Sequence, residues 1–212
     1  MKVKLEYNID DILNEWKDLG AYTKQEEILC NLFRKYPENT NFEDVVYKIT
    51  ILDSFYSTNL RFNDKTLTAD KDSKSGVIEV ANIILGIKDF DERVKNGDKK
   101  RVGQIVNTAK QDKNMKSVYS FATKYCSFHN PEKYPICDNF VKEELKYYRN
   151  QKESNFDFRN NELEIYGKFV DVIKNFRNIF NLNKYSFKQI DQYLWLVGKK
   201  RSAEKQKAKN RS

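Results

Sequence analysis

No run of about eighteen apolar residues occurs in the sequence, so nothing in it predicts a membrane span. The amino end, MKVKLEYNIDD, lacks an apolar stretch of the signal-peptide kind, and a cytoplasmic location without membrane contact is expected. Cysteine is scarce. Cys30, Cys126 and Cys137 are odd in number and scattered, which excludes a disulfide framework and leaves free thiols as the expectation. With one histidine, no clustered thiols, no Walker loop and no dinucleotide fingerprint, no metal and no cofactor are assigned. Only 7 glycines and 3 prolines are available to interrupt 212 residues, which favours long helices over many short strands.

What the chain has is aromatic residues, at 14%, and positive charge, at a formal +8. The charge is local. Residues 199–212 (KKRSAEKQKAKNRS) and 93–116 (RVKNGDKKRVGQIVNTAKQDKNMK) each contribute a net +6, leaving the remainder of the chain at about −4. Positive charge beside a candidate site gives sequence-independent affinity for phosphate, and Lys99, Lys100 and Arg101 are the candidates for that contact. The terminal run also reads as a solubilising, flexible basic tail.

Helix-start chemistry recurs along the chain. Thr23 to Glu26, Thr40 to Glu43 and Ser186 to Gln189 fit the capping box, in which a hydroxyl and a carboxylate or amide satisfy each other's free backbone donors. Helices are predicted near 9–18, 24–36, 42–57, 77–86, 89–96, 99–110, 117–129, 139–149, 161–181 and 187–198. The β-branched run VVYKITILDSFY also suits a strand, but the apolar spacing of Val45, Ile49, Leu52 and Tyr56, behind a cap at Thr40, favours a helix. Polar segments 61–76 and 150–160 read as loops. The fold class expected is all-α: one compact helical domain of one or two lobes over residues 1–198, with the basic tail behind it.

Candidate chemistry concentrates in SFATKYCSFHNPEKYPICDNFV, residues 120–141. Val118, Phe121, Ala122 and Tyr125 form the apolar stripe of one helix, and Lys124 falls on the flank of that stripe. A flank lysine beside aromatics is either a snorkelling side chain or a partly desolvated amine able to attack carbon. HNPEKYP then ends the helix and turns the chain, with His129 at the helix end as a cap or packed polar group. Asp138 opens the next helix. An aspartate there caps free amides, and a carboxylate held ionised by the helix dipole is also suited to stabilising a cation.

An amine on one helix, a proline turn and an ionised aspartate at the start of the next helix resemble the helix-hairpin-helix DNA glycosylase superfamily. TKYCSFHNPEKYPICDNFV is similar to that family's lysine-bearing helix and its P-(V/I)-D helix start, and FATK resembles the 8-oxoguanine glycosylase branches, including the archaeal one. The likeness covers about residues 98–145. This chain reads Pro-Ile-Cys-Asp, has no Leu-Pro-Gly-Val-Gly hairpin, and separates Lys124 from Asp138 by only fourteen residues. The resemblance implies a helical fold, double-stranded damaged DNA as partner, Lys124 attacking the sugar C1′ to form a Schiff base, and Asp138 stabilising the cationic transition state. It further implies a flipped base stacked on aromatics. Phe121, Tyr125, Phe128, Tyr134 and Trp195 are candidates for that role, with His129 as a further base or DNA contact, and each of the aromatic rings is also a candidate for the core.

Ser57, Thr58 and Asn59, at a helix end, read as either pocket or phosphate contacts or a cap and turn. DQYLWLVGKK reads as a docking helix stopped at Gly198, with Trp195 in or near the core. Against a base-excision enzyme stand two other readings: a noncatalytic helical nucleic-acid-binding module, and a helical protein-interaction or phage-defence component.

Overall fold

The computed structural model describes residues 4–60, 76–111, 118–152 and 154–209. Among these residues the fold is all-α: ten α-helices, one short 3₁₀ helix and no strand. The helices are α1 (Ile9–Lys17), α2 (Ala21–Lys35), α3 (Phe42–Tyr56), α4 (Gly76–Gly86), α5 (Phe90–Lys95), α6 (Lys100–Ala109), α7 (Tyr119–His129), α8 (Asn139–Arg149), α9 (Tyr166–Ile179) and α10 (Phe187–Lys209), with the 3₁₀ helix at Asn160–Glu164 ahead of α9. The loop expected over 61–76 lies outside the described residues up to its last position, Gly76, which begins α4.

Local chemistry accounts for most starts; the largest shift is at the helix predicted over 161–181, where Asn160–Glu164 is a 3₁₀ turn and α9 begins only at Tyr166. Ser186 and Gln189 form the reciprocal capping box, the Gln189 amide donating to Ser186 Oγ at 3.2 Å and the Ser186 amide to Gln189 Oε1 at 2.9 Å. At α3 the cap is Asn41, which accepts from the Asp44 amide at 2.9 Å, while the neighbouring Thr40 hydroxyl turns to Glu38. The amide side chain reaches its target as well as a hydroxyl does, so the cap moves by one residue while the helix still begins at Phe42. α2 begins before Thr23 because the chain turns at Gly20, whose φ of +32° suits glycine. Thr23 is then inside the first turn and donates back to the Gly20 carbonyl at 3.0 Å.

The chain forms two compact units, Met1–Thr23 with Pro135–Ser212, and Lys24–Tyr134. In the first, α10 packs against α8 and α1. In the second, α3 packs on α4, α6 on α4 and α7, and α7 also meets α3 and α5. The ambiguous run in α3 is helical, with Val45, Ile49 and Leu52 wholly buried.

Gly198 does not stop α10, which continues to Lys209. A Cβ at this position would lie 2.7 Å from the Phe140 carbonyl oxygen of α8, so the glycine permits a close helix crossing. The run beyond it, expected as a flexible tail, is helical as far as it is described. Its first three residues have partners: Lys199 Nζ donates to the Tyr22 hydroxyl at 2.6 Å, Lys200 Nζ to Glu15 Oε2 at 2.5 Å, and Arg201 pairs with Glu6 and with the buried Glu144.

Candidate functional site

α7 carries the expected apolar stripe, with Phe121, Ala122 and Tyr125 all buried. The burial extends much further, through Thr123, Lys124, Cys126 and Ser127. α3, α5 and α6 all pack against this helix, so it has no solvent flank for most of its length. Lys124, expected at such a flank, is 3% exposed. Its Nζ donates to Ser120 Oγ, one turn earlier on the same helix, at 2.6 Å, and lies 5.6 Å from the centroid of the Tyr56 ring. The amine is therefore drawn inward and does not snorkel.

Asp138 caps α8, accepting from the Val141 amide at 3.0 Å. Val141, Leu145 and Tyr148 turn inward from that start, as their spacing predicts. Lys124 belongs to the unit formed by residues 24–134 and Asp138 to the other.

Apart from Trp195, the remaining candidates lie within the 24–134 unit, and several of them are packed or hydrogen-bonded there. Phe121 lies against Tyr125, and Phe128 against Phe33 and Tyr56 at 5.5 and 5.8 Å between centroids. Tyr134, wholly buried, donates its hydroxyl to the Asp98 carbonyl at 2.9 Å. Arg101 is buried too, its guanidinium 3.3 Å from the Asp98 carboxylate and bonded to the Lys88 carbonyl. Lys99 is half-buried and Lys100 exposed. Burial pulls the Asp98 pKa up, but the Lys100 amide together with Arg101 and Arg93 outweighs it and holds the carboxyl below its usual value. Ser57 and Asn59 both have positive φ, 47° and 64°, and Thr58 donates to Asp53 Oδ1 at 2.5 Å. Asp53 also accepts the Leu60 amide at 3.0 Å, so this stretch turns the chain around a buried carboxylate.

A second group of polar residues escaped the sequence reading. Lys48 of α3 is wholly buried, and its Nζ donates to the Tyr36 and Glu38 carbonyls at 3.0 and 2.8 Å and to Asn39 Oδ1 at 2.8 Å. All three ammonium protons thus have acceptors. Desolvation lowers the Lys48 pKa to about 8, against the opposing charges of Asp91 and Asp44. Asn39 Oδ1 also accepts from the Tyr125 hydroxyl, and its Nδ2 meets the Asp91 carboxylate and, at 3.2 Å, His129 Nε2. His129 is packed edge-on against Phe33 at 4.8 Å. Burial, and after it the Lys48 charge, pushes its pKa well below the usual 6.5, so the imidazole is neutral and Nε2 accepts. The signal was available: residues 45, 48, 49 and 52 share one helical face, and Lys48 is the polar residue in that apolar stripe.

Among the described residues no group of three or more His, Cys, Asp or Glu is placed to hold a metal ion, and no helix is long and apolar enough to cross a membrane.

Residues 8–133 match the model of the HI_0787_N family, described as an N-terminal domain. A protein of Haemophilus influenzae named as an uncharacterized protein is 36% identical over 165 residues, 76% of this chain and 70% of that relative. The chain belongs to this family. The matched segment contains Lys124, Ser120 and the whole Lys48 network, and it ends five residues before Asp138. A protein of Candida glabrata named E3 ubiquitin-protein ligase BRE1 is 25% identical over 197 residues, which is 84% of this chain but 28% of the ligase. No solved structure matches.

Proposed function

We propose that the chain is a DNA base-excision glycosylase in which Lys124 is the nucleophile and Asp138 the carboxylate that stabilises the developing positive charge. The observation that supports this reading is the burial of the Lys124 amine at 2.6 Å from a neutral hydroxyl and against an aromatic ring. A partly dehydrated amine is a better nucleophile than one in water. The resemblance of residues 98–145 to the lysine-bearing glycosylases supplies the substrate class, damaged double-stranded DNA with 8-oxoguanine as the model lesion.

In the reaction the lone pair of the Lys124 amine attacks C1′ of the damaged nucleotide. The C1′–N bond breaks, and the base leaves with its electron pair and takes up a proton. The amine nitrogen loses a proton, and cleavage of the C1′–O4′ bond with protonation of O4′ gives the protonated imine. Asp138, the cap at the amino end of α8, offers its carboxylate to the positive charge on the sugar while the C1′–N bond breaks.

Borohydride trapping on duplexes carrying 8-oxoguanine or an abasic site tests the reading. The expected result is a covalent adduct that Lys124→Gln abolishes and Asp138→Asn weakens. Absence of both adduct and base release across a panel of lesions, with folded protein, overturns it.

A second reading, a noncatalytic nucleic-acid-binding module, is favoured by the end of α10. Residues 203–209 are exposed on every side and include Lys205, Lys207 and Lys209. Under this reading duplex binding falls steeply with salt, survives Lys124→Gln and Asp138→Asn, and is lost when those lysines are neutralised.

A further inference from the structure

We infer that Ser120 is the positioning residue for Lys124, its hydroxyl fixing the direction in which the amine points. The inference rests on the reading of Lys124 as nucleophile and adds a residue that the resemblance does not supply. A lysine side chain has four rotatable bonds, and burial alone leaves its amine several positions. Here one N–H is tied at 2.6 Å to a hydroxyl on the preceding turn of the same helix. The anchor is itself restrained, because the Thr123 hydroxyl donates to the Ser120 carbonyl at 3.0 Å and α7 is packed by three other helices. Tyr56, presented by α3, sets a wall on the amine at 5.6 Å. The amine is thereby confined from its own helix and from a neighbouring one. In a displacement at carbon, an error of about 1 Å in the attacking atom costs on the order of a hundredfold in rate.

Ser120→Thr gives the test its discriminating power, because it keeps a hydroxyl one turn before Lys124 while Ser120→Ala removes it. A residue that only fills space acts on stability and not on the rate of the folded protein, whereas a positioning group slows the reaction when its hydroxyl is deleted and restores it when the hydroxyl returns.

The experiment compares borohydride-trapping rates and binding on abasic-site duplex for wild type, Ser120→Ala and Ser120→Thr, with thermal unfolding to establish that each is folded. The expected outcome for Ser120→Ala is trapping slowed about tenfold or more at saturating duplex, with duplex affinity unchanged. Ser120→Thr, which keeps the hydroxyl, restores the rate. Trapping by Ser120→Ala at the wild-type rate, or a loss that Ser120→Thr shares in full, overturns the inference while leaving the glycosylase reading in place. A wild type that forms no adduct overturns the glycosylase reading and the inference with it.

Discussion

Arg201 grips Glu144 through two nitrogens, Nε to Oε2 at 2.9 Å and Nη2 to Oε1 at 3.1 Å, although Glu144 is wholly buried. Burial raises the Glu144 pKa, and the guanidinium opposes that rise. The pair joins the last long helix to α8, and the Arg201 guanidinium also lies 3.3 Å from the centroid of the Tyr147 ring. Truncating the arginine leaves a carboxylate in the interior without its counter-charge, so Arg201→Ala should cost about 3 kcal/mol. Lys205→Ala, one turn later and exposed, should stay within about 0.5 kcal/mol of wild type. Urea unfolding of both variants checks the contrast, and equal effects would show that the tail is not anchored as described.

Lys48→Met keeps the length of the side chain but removes three hydrogen bonds to two carbonyls and to Asn39. The loss should be about 3 kcal/mol, since buried acceptors are left without donors. Denaturant midpoints measure it, and a variant as stable as wild type would remove Lys48 from the determinants of the fold.

The same lysine makes stability depend on alkaline pH. Its folded pKa of about 8 lies below the ordinary 10.5. Between those values the unfolded chain holds more protons, so the Lys48 contribution rises as pH increases from about 8 to 10.5. The difference in melting temperature between wild type and Lys48→Met should grow across this window, and a constant difference contradicts the assignment.

At acidic pH His129 acts with the same sign, in a lower window. Its folded pKa is well below 6.5, so the unfolded chain takes up a proton that the native imidazole refuses. Stability should fall as pH drops below about 6.5, by up to ~1.4 kcal/mol per pH unit. Thermal unfolding between pH 5 and pH 7.5 reads this slope, and in His129→Gln the slope should flatten.

Gly198→Ala places a methyl group 2.7 Å from the Phe140 carbonyl oxygen, which belongs to backbone and does not swing aside. The expected cost is about 1–3 kcal/mol, despite the better helix propensity of alanine. A stabilised variant, measured by urea unfolding, would mean that α8 and α10 separate without penalty.

Much of the fold was legible because few residues interrupt it, and the apolar periodicity of α1, α3, α6 and α8 carried their boundaries. The cap at Ser186 was readable for the same local reason. Thr23 and Thr40 misled because better starts stood beside them, a glycine turn at Gly20 and an asparagine at Asn41. Gly198 resembled a terminator because a lone glycine after an apolar run has two explanations, and only the position of Phe140 distinguishes them. The site was legible as a set of residue types but not as an environment. Nothing local to Lys124 reveals that three helices close around it, and Asn39 meets His129 across ninety positions of sequence.

Asn39 also has a consequence for charge separation. Its amide is polarised along a fixed axis, with the oxygen end facing Lys48 and the nitrogen end facing Asp91. It relays between a cation and an anion without itself carrying charge, as an insulating spacer between two electrodes would. Hydrolysis of that one amide to aspartate would exchange the donor end for an acceptor and set two carboxylates against each other inside the 24–134 unit. A single-atom replacement at a residue outside the candidate catalytic pair would then change the net charge of the interior that holds α7 in place.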